Sequence, residues 1–137
     1  MKDQNYLFSI DLKVRDYECD LQGVVNNANY QHYMEHTRHE FLESLGENFS
    51  AMHDVGIDAF VYKVSITYKK SLRSGDYFKS ALNCYKKGAK LIFDQYILFP
   101  DGKVSAQGEI ETVAVRNGVI TRGEVFDKLL EGIDSNR

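Results

Sequence analysis

Proline occurs once in this chain, at Pro100. Proline lacks a backbone N–H and fixes φ, so a chain almost free of it can run long strands and helices without interruption. Cysteine is nearly as scarce. Cys19 and Cys84 are too few for a disulfide framework, and a reducing, cytoplasmic setting is the expectation. No apolar run approaches the roughly 18 residues of a membrane span, so none is expected. The opening residues Met1 to Tyr6 lack the apolar stretch of a secretory signal, and no signal peptide is expected. An excess of positive charge is also missing. Seventeen Lys and Arg against 20 Asp and Glu leave a net charge of −3, which speaks against a general nucleic-acid binder.

What is present is enough for a core. The 137 residues are 43% apolar and 27% charged, and residues 1–137 read as one globular domain. Aromatic residues sit in alternating patterns. Tyr6, Phe8, Ile10, Leu12 and Val14 alternate with Leu7, Ser9, Asp11 and Lys13, which predicts a first strand with one buried face. A helix should start near Asn27 or Ala28, because Asn26 and Asn27 are good N-cap residues. At about 100° per residue, Tyr30, Tyr33, Met34, Thr37, Phe41 and Leu45 share one face. His32, Glu35, His36, His39 and Glu43 share the other. Gly46 supplies a stop that needs a left-handed backbone.

Residues 47–57 are expected to form a short helix or turn, with Phe49, Met52, Val55 and Ile57 plugging one end of the core. Strands are then expected over 60–68, 77–85, 91–99 and 103–116, with a short last strand at 119–121. The turns between them are marked by Gly75, Gly88, Pro100-Asp101-Gly102 and Asn117-Gly118. Val125, Leu129 and Ile133, spaced by four, predict a terminal helix over 124–133. Short turns favour antiparallel neighbours, and strands segregated from one long helix make this an α+β chain.

The stretch Asp20 to Tyr30 carries the most chemistry. It puts a carboxylate three residues before Gly23 and just ahead of the long helix. An ionised Asp can attack a carbonyl or activate water. The first turn of a helix offers unpaired N–H groups that can stabilise charge on a carbonyl oxygen. The bland alternative is an Asp that merely closes a turn. Lys69, Lys70, Arg73, Lys86, Lys87 and Lys90 cluster at strand ends, where they can meet phosphates or simply guard sheet edges. His32, His36 and His39 have metal-like spacing, but their face is rich in Glu and reads as solvated, so no metal is expected. Cys19 precedes a carboxylate that would raise its thiol pKa, which favours a packing role.

The segment Tyr17-Glu18-Cys19-Asp20-Leu21-Gln22-Gly23-Val24-Val25-Asn26-Asn27-Ala28-Asn29-Tyr30 resembles the active-site segment of hotdog-fold acyl-CoA thioesterases of the 4-hydroxybenzoyl-CoA thioesterase type. The resemblance extends over nearly the whole chain. It implies a long central helix wrapped by a five- to six-stranded antiparallel sheet. It also implies that Asp20 is the catalytic carboxylate, that Glu18 is its non-catalytic neighbour, and that the Asn27 backbone N–H polarises the thioester carbonyl. Val25, Asn26, Asn29 and Tyr30 would then border the substrate, and Lys87 and Lys90 would meet the CoA phosphates. Many relatives carry His within the Gly-Val-Val-Asn-Asn stretch, where this chain has Val24 and Asn27. A histidine-based mechanism at that point is therefore not available to it. The implied activity is hydrolysis of an acyl-CoA to a carboxylic acid and CoA. No cofactor beyond the substrate's own CoA is implied. The implied assembly is a homodimer or homotetramer. A non-catalytic acyl-CoA sensor on the same fold is the alternative. A dehydratase is disfavoured, because the His-Gly…Phe-Pro pattern is missing.

Overall fold

The computed structural model describes residues 6–46 and 54–135. Strand β1 (Phe8–Lys13) leads through a single 3-10 turn, Asp16–Glu18, to helix α1 (Asn27–Ser44). Strands β2 (Ile57–Tyr68), β3 (Tyr77–Lys87), β4 (Lys90–Leu98), β5 (Val104–Arg116) and β6 (Val119–Ile120) follow, then helix α2 (Glu124–Ser135).

The sheet is ordered β1-β3-β4-β5-β2, with β6 paired to β5, and every pairing is antiparallel. β1 and β2 are therefore opposite edges, and α1 is the segment that joins them. The chain can make that connection only by carrying the helix across a face of the sheet. β3, β4, β5 and β6 join neighbours through tight turns, whereas β2 and β3 are not paired: the short connection marked by Gly75, expected to join antiparallel neighbours, instead carries the chain from one side of the sheet back to a place beside β1. Asn117 and Gly118 both have positive φ, 49° and 83°, as a two-residue hairpin of this sequence requires.

The buried face of α1 is Tyr30, Tyr33, Met34, Thr37, Arg38 and Phe41. All but Arg38 follow from the apolar spacing, while Leu45 at the far end is only half-buried. Met34 is fully buried against β5, where Gly108 leaves room for it; a Cβ on Gly108 would stand 2.6 Å from Met34 Sδ. Polar groups cross-link the helix to the sheet. Thr37 Oγ1 donates to Tyr33 O at 2.7 Å and shares a 2.5 Å bond with Ser80 Oγ. Gln95 Nε2 donates to Met34 O at 3.1 Å, and Arg38 Nη1 donates to Gln95 Oε1 at 2.8 Å. These bonds leave few buried donors or acceptors without partners between helix and sheet.

Three expectations about burial need revision. The plug over 47–57 falls largely outside the described residues. Of its named members within them, Val55 is exposed and Ile57 opens β2. The alternation of β2 predicts one covered face from Phe60 to Tyr68; Val64 and Ile66 do pack against the core, but Phe60, Tyr62 and Tyr68 are exposed, and the register shifts between Val61 and Lys63. In α2 the buried residues are Phe126, Leu129 and Ile133; Val125 is half-buried, so the buried stripe includes Phe126 as well as the expected spacing of four.

Met34 is the central knob of the helix–sheet contact. Met34→Ala should lower unfolding free energy by about 2–5 kcal/mol, the usual cost of truncating a fully buried large side chain. Chemical denaturation of the two proteins measures it.

Candidate active site

The site forms where the chain turns from β1 into α1. Cys19 and Val25 pair as an isolated antiparallel bridge, and Asp20 N donates to Val24 O at 2.9 Å. Between them Gly23 takes a φ of 78°, and its N–H returns to Asp20 O at 3.0 Å. A left-handed residue is needed to close so short a loop, which accounts for glycine there. The carboxylate of Asp20 lies at the exposed tip. Its Oδ1 accepts the Gln22 N–H at 2.9 Å, an Asx turn that fixes the side chain's direction. With the Gln22 amide oxygen and nitrogen interchanged, its NH2 donates to Asp20 Oδ1 at 2.9 Å and Oδ2 at 3.1 Å. The turn role named as the bland alternative is thus present, and it leaves the carboxylate at the surface.

The other side of the site is the start of α1. Asn26 is the N-cap; its Oδ1 accepts from Ala28 N at 2.9 Å, and its backbone O accepts from Asn29 N at 2.9 Å. The Asn27 N–H stands between these two and makes no hydrogen bond among the described residues. An N–H at a helix N-terminus without an internal partner is an electrophilic group ready for an incoming oxygen.

Glu18 locks loop and helix together. It is 8% exposed. Its Oε1 accepts from Arg15 N at 2.8 Å and from Tyr33 Oη at 2.9 Å. Its backbone O accepts from Asn26 N at 3.0 Å and Asn29 Nδ2 at 2.8 Å. Burial and the bond to Glu18 push the Tyr33 phenol far above its ordinary pKa, so it stays a donor. Burial, with the carboxylates of Asp16, Asp20 and Glu18, likewise pushes the Cys19 thiol up, which suits a packing role and not a nucleophile.

The sequence-derived site residues separate into groups. Asp20 and Asn27 are both exposed and lie on the same loop-to-helix junction. Val25 and Tyr30 are each 2% exposed. The Tyr30 hydroxyl accepts from Leu72 N at 2.9 Å and meets Ser105 Oγ at 3.2 Å, tying α1 to the segment after β2. Asn26 and Asn29 spend their side chains on the cap and on Glu18. Lys87 and Lys90 are not brought to Asp20 within one chain. β3 starts at Tyr77, opposite Lys13, and ends ten residues on at Lys87, ~33 Å away at strand spacing. Lys90 Nζ also donates to Glu111 Oε1 at 2.8 Å and stands 4.3 Å from the Tyr62 ring centroid.

Basic residues nearer the site come from the segment after β2. Arg73 pairs with Val24 as an isolated bridge, and Lys70 follows shortly before it. Gln22 is a residue the sequence reading passed over; an amide two positions after the carboxylate was the available signal. Tyr68 was likewise passed over at this position, and its Oη donates to Asn27 O at 3.3 Å.

The model of the thioesterase-like superfamily matches residues 14–127. A chloroplastic acyl-acyl carrier protein thioesterase of Arabidopsis thaliana is 40% identical over 97 residues, which are 70% of this chain and 51% of that protein. The chain thus spans about half of that relative's length. A putative esterase of Aquifex aeolicus is 34% identical over 108 residues, 79% of this chain and 84% of the relative. A solved structure of a hypothetical protein from Aquifex aeolicus superposes with a TM-score of 0.81 at 31% identity, covering 92% of this chain and 98% of that one. The six-stranded antiparallel sheet crossed by α1 is the hotdog fold. The chain belongs to the thioesterase-like superfamily.

Proposed function

We propose that this protein hydrolyses an acyl thioester, with acyl-CoA as the substrate class, to a carboxylic acid and a free thiol. The observation that carries this reading is the pairing of an exposed, oriented Asp20 carboxylate with the unpartnered Asn27 N–H at the start of α1. The thioester carbonyl oxygen would accept the Asn27 N–H, which stabilises the negative charge that grows on it during attack. Asp20 drives the attack by one of two routes, as a general base on water or as the nucleophile itself. It takes a proton from water as the C–O bond forms, or it adds its own carboxylate and the resulting anhydride is hydrolysed. In both routes the C–S bond breaks, the thiolate leaves and is protonated, and water is the only co-reactant. No cofactor is needed.

The Arabidopsis relative is named for acyl-acyl carrier protein substrates, which present the thioester on a protein-borne thiol. That likeness supports thioester chemistry and leaves the thiol carrier as a property to be measured. Tyr30 and Val25 act on this reading as the packed wall behind the acyl group. Lys87 and Lys90 meet the nucleotide end of CoA only if a second subunit carries them to this end of the sheet. The same reading therefore includes a homodimer. Support for it is the β2 edge, 12 residues long, with Phe60, Val61, Tyr62 and Tyr68 exposed, since a long apolar edge strand is a template for pairing with another chain. The reducing, cytoplasmic setting expected from the sequence goes with this reading.

Three outcomes are expected. Across acetyl-, medium-chain, long-chain and aromatic acyl-CoAs, Asp20→Asn should fold normally and lose about 10²–10⁴-fold in kcat on any substrate the native protein cleaves. A native-like rate in Asp20→Asn would remove Asp20 from the chemistry, and acyl-CoA binding with no turnover by the native protein would make it a sensor. Asn27→Pro should keep the fold, because proline suits the first helical position and Asn26 already has φ −63° and ψ 138°, the extended conformation required before proline. It removes the N–H together with the exposed carboxamide, and kcat should fall about 10²–10³-fold, whereas Asn27→Ala, which keeps the N–H, should stay near the native rate. Light scattering at micromolar concentration should show at least a dimer, and Phe60→Lys should shift it toward monomer by placing charge on the pairing edge.

A further inference from the structure

A cavity lies toward the other end of α1. It is an open cleft of about 270 Å³ between the C-terminal half of α1, the sheet and α2. Its apolar lining includes Leu42, Phe60, Phe93 and Phe126. Arg38 and Thr112 also line it, and they are the anomaly.

Arg38 is 7% exposed, yet no carboxylate lies within ion-pair distance of it among the described residues. Its one hydrogen bond there runs from Nη1 to the neutral Gln95 Oε1. Buried charges are normally paired, because an uncompensated ion away from water is costly. Burial draws the Arg38 pKa down to about 10, opposed by the charge of Glu35, and the guanidinium is still a cation at neutral pH. Thr112 is 7% exposed, and its Oγ1 is buried with no hydrogen-bond partner among the described residues. Glu35 and His39 stand at the exposed side of the same cavity. Among the described residues, the cavity therefore combines an apolar wall, a buried cation with no carboxylate at ion-pair distance and a hydroxyl without a partner.

This space is separate from the Asp20 junction. Asn27 and Arg38 are eleven residues apart on α1, ~16 Å along the axis. Between them Tyr30, Met34 and Thr37 are packed on the sheet with at most 2% exposure, so the interior gives no open path from one end to the other.

We propose that this cavity binds a small amphipathic carboxylate, a medium-chain fatty acid. Its head group pairs with Arg38 and its chain lies on Leu42, Phe60, Phe93 and Phe126. A carboxylate supplies the charge-assisted acceptor that a guanidinium fork prefers. The volume, just under the roughly 300–1,000 Å³ of clefts that hold drug-sized molecules, fits a short or medium chain better than a long one. A free acid of this kind is also the product class of the proposed reaction, yet the site depends on none of that chemistry.

Isothermal titration calorimetry with octanoate and with methyl octanoate tests the assignment on the native protein. Octanoate should bind about tenfold or more tightly than the ester, since only it can pair with the guanidinium. Arg38→Met should abolish that preference while still admitting the apolar chain, and Arg38→Lys should keep part of it. Asp20→Asn should leave octanoate affinity within about twofold, as a site remote from Asp20 requires. Equal binding of acid and ester, or no octanoate binding by the native protein, would overturn the proposal whether or not the Arg38 variants fold. A strong change in octanoate affinity with Asp20→Asn would place the acid at the Asp20 junction instead. Because binding is read directly, loss of this site and loss of thioesterase activity are separable results.

Discussion

One buried carboxylate holds the candidate site together. Glu18 accepts from Arg15 N and Tyr33 Oη through its side chain, and from Asn26 N and Asn29 Nδ2 through its backbone. Those donors come from the end of the β1 segment, the N-cap of α1 and the helix's second turn. A buried acceptor left unpaired costs about 1–3 kcal/mol, so each donor is drawn to this point. The result is that Asp20, two residues on, cannot drift relative to the first N–H groups of the helix. Glu18 takes no part in the proposed chemistry, but the spacing of the groups that do is set by it. The acidic pair in the sequence thus divides its labour by burial: one carboxylate is enclosed and saturated, the other is left at the surface.

The same logic explains which parts of the fold were legible in the sequence. Features governed by neighbours a few residues apart were readable. The cap at Asn26, the left-handed stop at Gly46, the Asn117-Gly118 hairpin and the apolar stripe of α1 are all local in this sense. So was the strand order implied by short turns, because consecutive strands from β3 to β5 had nowhere to go but alongside each other. Glu18 and Arg38 were not readable as buried, because what admits them to the interior is Tyr33 in one case and Gln95 in the other. Gln95 lies 57 positions from Arg38, and nothing in the spacing around either residue announces the pairing. Periodicity also overstated the cover on β2. Alternation marks a strand but does not say how much of one face is covered, and Phe60, Tyr62 and Tyr68 are exposed while Val64 and Ile66 pack against the core.

The basic residues show the limit of reasoning by strand ends. Lys69, Lys70 and Arg73 end β2 and the turn after it, while Lys86, Lys87 and Lys90 surround the β3–β4 turn. In sequence both sets look alike. The antiparallel register separates them, because Lys13 faces Tyr77 and Lys87 faces Lys90 at the far end of β3. Only the first set shares an end of the sheet with Asp20, through the Val24–Arg73 bridge. A role for the second set in the same site needs a second subunit, so the location of the lysines and the bare β2 edge bear on one question.

Helix α1 thereby serves two different ends. At its start, backbone N–H groups are unpaired because no preceding turn exists to accept them, and a helix cannot avoid this. Toward its C-terminal half, Arg38 has no carboxylate within ion-pair distance among the described residues, and an apolar residue there would pack without the cost of burying a charge. The first feature comes with any helix. The second is specific to this sequence, and it persists beside a cavity lined by Thr112, whose hydroxyl has no hydrogen-bond partner among the described residues. A buried cation whose described hydrogen-bond partner is neutral, and an unpaired hydroxyl, are costly beside an apolar cavity that stays empty, and that cost falls when a carboxylate on an apolar chain fills it. The physical case for a ligand at this end of the helix is therefore independent of the case for catalysis at the other.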